Sequence, residues 1–124
     1  MSWNRIFATY AGEGDLESTS DKEENIILQV KIGADNKLEL MSQYFGYTRE
    51  LDEESGSYEQ YPFFSSIKNN ELILDFGAGL DGERYAKSNL PIKEIIPNEF
   101  FTYFNGLDED AEKWTYRIEK VTLI

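Results

Sequence analysis

Hydrophobic and polar positions alternate along much of this chain with the period of a strand. In residues 26–32, IILQVKI, Ile26, Leu28, Val30 and Ile32 alternate with Gln29 and Lys31, the pattern of a half-buried strand. GADN follows, supplying residues that tolerate positive φ. KLELMSQYF then returns with Leu38 and Leu40 inward, which predicts a hairpin over residues 26–44. Residues 63–77, FFSSIKNNELILDFG, predict a second hairpin turning at Asn69-Asn70. Leu72, Leu74 and Phe76 take its inner face, and Asp75 points outward. Residues 99–105, EFFTYFN, and 113–124, KWTYRIEKVTLI, predict a third. Trp114, Tyr116 and Ile118 share one face there, and a bulge near Glu119 would return Val121 and Leu123 to the core side.

Other segments read less regularly. Residues 3–10, WNRIFATY, are a first strand, and 11–25, polar and glycine-containing, a loop. Residues 46–62, GYTRELDEESGSYEQYP, read as a long acidic loop. GAGLDGERYAKSNLP, 77–91, reads as irregular, and IKEII, 92–96, as a short strand closed by Pro97. No segment of ten or more residues has strong helical spacing. The fold class expected is mainly β: an antiparallel sandwich or partly closed barrel of about eight strands. There is room for one short helix in 47–55 or 107–113. A length of 124 residues fits one domain, 1–124, able to bury a core without disulfides or metals.

Composition removes several chemistries. There is no Cys and no His. Ser-His-Asp and Cys-His nucleophilic catalysis are therefore excluded within this chain, as is the commonest ligand for zinc or copper. GAGLDGE, 77–83, lacks the G-x-G-x-x-G spacing and the Gly-Lys-Ser/Thr of a phosphate loop. No enzyme and no cofactor is expected. The start, MSWNRIFATYAGEGD, has no apolar run of signal-peptide length, and no segment approaches the ~20 apolar residues of a membrane span. A cytoplasmic location is the expectation.

Charge changes the picture most. Asp and Glu number 24 against 12 Lys and Arg, for a formal net charge of −12. Such a surface repels nucleic acid and anionic membrane and attracts basic proteins. The acids concentrate in two places. One is Glu50, Asp52, Glu53, Glu54 and Glu59, interleaved with Tyr58 and Tyr61. The other is Asp108, Glu109, Asp110 and Glu112, flanked by Phe104 and Trp114. Asp108 and Asp110 begin like a calcium loop. However, its sixth position, counted from Asp108, holds Lys113 where such a loop needs Gly for its sharp turn, so the match fails even though Glu119 falls at the twelfth. A solvated hairpin loop whose charge blocks edge pairing explains the same residues. So does a docking surface, where rigid rings give contact area and acids capture Arg.

A short, acidic, β-rich chain with such loops, RELDEESGSYEQY and FNGLDEDAEKW, and the terminal strand WTYRIEKVTLI, resembles the bacterial immunity proteins of contact-dependent growth inhibition and related polymorphic toxin systems. The resemblance implies a basic protein partner, a cognate toxin domain such as a nuclease, neutralised by occlusion of its active or substrate-binding surface. It carries over no catalytic residues. Two other classes stay open: a small-ligand-binding β-barrel, with the surplus rings lining a cavity, and an acidic nucleic-acid mimic inhibiting a DNA-binding or defence protein.

Overall fold

The computed structural model describes residues 2–13, 21–40, 43–78 and 84–124. Eight strands run in chain order: β1 (Ser2–Glu13), β2 (Asp21–Ile32), β3 (Tyr44–Asp52), β4 (Ser57–Lys68), β5 (Glu71–Asp75), β6 (Tyr85–Ser88), β7 (Phe100–Phe104) and β8 (Lys113–Leu123). Each pairs antiparallel with the next, and β8 pairs with β1, so the sheet closes into an up-and-down barrel. Closure removes the unpaired edges that a sandwich would leave. The partly closed alternative is thereby refined to a fully closed one. Among the described residues no helix is long and apolar enough to cross a membrane.

The inward positions are those the alternation marks. Ile6 and Ala8, then Ile26, Leu28 and Val30, then Phe63, Leu72, Leu74, Phe101 and Ile118 fill the barrel. The void left among them is about 10 Å³, room for a single water at most. The predicted Asn-Asn turn joins β4 to β5, with both asparagines at positive φ (54° and 63°). The predicted bulge is present as well. Ala8 pairs with Ile118 and Phe7 with Lys120, leaving Glu119 as the extra residue. Val121 then packs against the core, whereas Leu123 lies exposed.

Five segments differ from the expectation. The hairpin over 26–44 shrinks to one bridge, Ile32 to Leu38, and the returning strand starts only at Tyr44. Tyr44 is buried and donates its hydroxyl to the carbonyls of Lys31 and Glu39, which anchors the chain where the ladder would have continued. Leu40, expected inward, is exposed. The expected acidic loop 46–62 is mostly two paired strands, β3 and β4, around a tight turn at residues 53–56, where Gly56 takes φ 72°. Neither 47–55 nor 107–113 forms a helix. The expected loop over 11–25 is strand at both ends, and 77–91 contains β6; their centres, 14–20 and 79–83, lie outside the described residues. Residues 92–96 are not a strand. A 3-10 turn over Leu90–Ile92, with Pro91 at its start, drops Leu90 into the barrel.

These connections make the two ends of the barrel unlike. At one end the β2–β3 and β6–β7 segments meet, the Ile95 N–H bonding the Asn36 carbonyl at 2.6 Å, and bury Leu38, Leu90 and Ile95 as a plug. At the other end, β3 turns into β4 and β7 into β8, and the described residues leave an open cup.

Candidate functional site

The open end is a cup of about 450 Å³. Its wall comes from inward positions that are polar or aromatic instead of aliphatic: Tyr10 on β1, Glu24 on β2, Thr48 and Glu50 on β3, Tyr61 on β4, Tyr103 on β7, and Trp114 and Tyr116 on β8, with Glu112 just before β8. Continuing the alternation of Ile26 and Leu28 backward places Glu24 on the core side. Continuing Tyr44 and Gly46 forward places Thr48 and Glu50 there. The apolar pattern therefore changes chemistry at the same height on several strands, and that change is what makes a cup.

Tyr103 and Tyr116 form the floor, both nearly buried. Tyr103 stacks on Trp114 at 5.6 Å between ring centroids and 6° between planes. Tyr116 stacks on Phe101 beneath it and meets Tyr10 edge to face. Burial pushes both floor phenols above the ordinary tyrosine range, and for Tyr116 the neighbouring Tyr103, Glu24, Tyr10 and Glu50 add to it. Tyr61 is pushed up to about 12, chiefly because it donates its hydroxyl to Glu59, with further contributions from burial and from the charges of Glu59 and Glu50. Tyr61, Tyr103 and Tyr116 thus stay neutral, and among the described residues the charged side chains lining the cup are Glu24, Glu50, Glu112 and Arg49.

Of the residues expected to bind a partner, Glu50, Tyr61 and Glu112 line the cup, and Glu59 stands at its rim opposite Glu50. Glu53 and Glu54 sit exposed on the β3–β4 turn, and Asp108, Glu109 and Asp110 on the β7–β8 loop. Both loops belong to the same end of the barrel, so two acidic segments far apart in sequence frame one opening. Two expected residues have other work. Asp52 accepts from the Glu54 N–H and the Ser55 hydroxyl and holds the turn. Tyr58 points to the outer face, where the Arg49 guanidinium lies 4.3 Å from its ring centroid.

Among the described residues Arg49 is the one cation lining the cup, yet it sits between two inward residues and its guanidinium turns outward. It donates two hydrogen bonds to Oδ1 of buried Asn25, at 3.0 and 2.6 Å. Among the described residues the ion pairs are Arg84–Asp75, Lys87–Glu71 and Arg117–Glu119, none of them at the mouth. No group of acids among the described residues is arranged to hold a metal ion. The sequence reading missed Tyr10, Glu24, Thr48, Tyr103 and Tyr116. The signal was there: polar or hydroxyl-bearing side chains on the apolar parity, near one end of each strand.

Comparison with family models, curated proteins and solved structures gave no match to this chain. The class of protein is therefore read from the fold and the mouth: a closed antiparallel barrel, plugged at one end, with an acidic aromatic cup at the other.

Proposed function

We propose that this barrel is a binding protein that captures a basic protein partner at its acid-framed mouth, in the manner of an immunity protein that occludes a toxin domain. One observation carries the reading. The carboxylates of 50–59 and 108–112 converge on one opening, around rings that offer rigid contact area. Loops at one end of a barrel can vary without disturbing the packed body, and they are free to match a partner. The charge steers encounter with a basic surface, and the rings give the contact that holds it. A small-ligand barrel is the second reading, favoured by a cup volume within the range of ligand sites, roughly 300–1,000 Å³.

The test is protection. Where a basic toxin domain is encoded beside this gene, cells expressing that domain should survive when the barrel is co-expressed. Glu53→Lys with Glu54→Lys, or Asp108→Lys with Asp110→Lys, should remove that survival while the variants stay folded. Full protection with both pairs reversed would overturn the reading, and so would a partner whose contact surface is acidic.

A further inference from the structure

We infer that the cup seats one guanidinium or ammonium group, presented on a basic side chain that protrudes from the partner. This rests on the reading of the mouth given above and deepens it. Shape supplies the first part of the argument. Below Tyr103 and Tyr116 the barrel is packed, with a void of about 10 Å³, so the described residues leave no tunnel for an acyl chain. An occupant enters from solvent and stops at the floor, as the tip of a side chain does.

Chemistry supplies the second part. Trp114, half-buried and stacked on Tyr103, offers a π surface beside the opening. Glu24 and Glu50, on the adjacent strands β2 and β3, and Glu112, just before β8, line the cup, while the Arg49 guanidinium faces away toward Asn25 and Tyr58. A ring face and several carboxylates together suit a cation, which is attracted by both. An anion is repelled. A neutral sugar could stack on Trp114, but it would bring no charge to Glu50 and Glu112. Guanidinium also matches the geometry, since its flat face can lie on a ring while its edge donates to carboxylates.

Trp114 reports on the cup, and Trp3→Phe makes it the sole tryptophan. N-acetyl-arginine amide should quench its emission saturably, at constant ionic strength. N-acetyl-citrulline amide, which keeps the shape and loses the charge, should bind at least tenfold more weakly. Glu50→Gln with Glu112→Gln should weaken the arginine probe at least tenfold. Glu94→Lys, which changes net charge equally at the plugged end, should leave it within threefold. In the complex the partner should displace the arginine probe. Equal binding of both probes, no saturable quenching, or saturation by maltose instead would each overturn the inference. Undiminished probe binding with the partner in place would do so too, because the occupant would then be a free small cation. Loss of protection on charge reversal without arginine binding would sink this inference alone. Arginine binding with protection unaffected by charge reversal would sink only the proposed function.

Discussion

Glu50 and Glu59 stand directly opposite each other on β3 and β4 at the rim of the cup, and Tyr61 donates its hydroxyl to Glu59. Like charges opposed across a ladder destabilise a sheet. A fold selected for stability alone would not keep them there. The pair is understandable as repulsion that a cationic partner relieves. Glu50→Gln should therefore raise the urea midpoint slightly, on the order of a few tenths of a kcal/mol, while weakening partner binding. A variant that is less stable, or equally stable with undiminished binding, would contradict this trade of stability for recognition.

Salt should act on encounter more than on residence. The acids of 53–54 and 108–110 are exposed and set a long-range field that added salt screens over a Debye length of about 10 Å at 0.1 M. The association rate constant with the basic partner should fall roughly tenfold or more between low and high salt, with a smaller change in dissociation. Stopped-flow or surface kinetics would separate the two. A rate independent of salt would remove steering from the account.

Much of the barrel was legible in the alternation, and the parts that were not have specific physical causes. Leu72 and Leu74, or Trp114, Tyr116 and Ile118, carry strand and face together because one side of each strand is packed. Residues 46–62 hid two strands because their inward positions turn from Tyr44 to Thr48 and Glu50. A reader who equates strand with apolar alternation loses the strand where it enters the cup. The same change of chemistry hid half of the site. Acid density pointed to Glu50, Glu59 and Glu112, while the floor of Tyr103 and Tyr116 looked like ordinary core. Strand order around the barrel, which alone sets 50–59 and 108–112 at the same mouth, has no local signature at all.

Gly46 illustrates a constraint that periodicity does not express. It lies inward on β3 opposite Leu28 and Phe63. A Cβ there would fall 2.1 Å from the Ile27 carbonyl oxygen and 3.0 Å from the Leu28 Cα, both main-chain atoms that cannot rotate away. Gly46→Ala must push β2 and β3 apart where the barrel curls. The expected cost is at least about 2–3 kcal/mol, the upper part of the range for overpacking, measured by urea unfolding. A loss below about 0.5 kcal/mol, the scale of a surface substitution, would show that the two strands part easily.

The cup's tyrosines should give the protein an alkaline limit. Tyr61 is pushed up to about 12, and Tyr103 and Tyr116 are raised above the ordinary value by burial. Between about pH 10, where an unfolded phenol ionises, and these raised values, the folded state keeps protons that the unfolded state has released. Stability contributed by these groups is therefore complete below about pH 10 and declines as pH rises through the folded values. The urea midpoint should begin to fall above about pH 10 for this reason. Phenolate absorbance at about pH 11 should be smaller in buffer than in denaturing urea, where all eight tyrosines titrate freely. Tyr61→Phe should narrow that gap, because it deletes the phenol tied to Glu59, and should flatten part of the alkaline decline. Equal absorbance in buffer and in urea, with the protein still folded in buffer, would mean that the floor is open to water and that the cup is deeper and wetter than described.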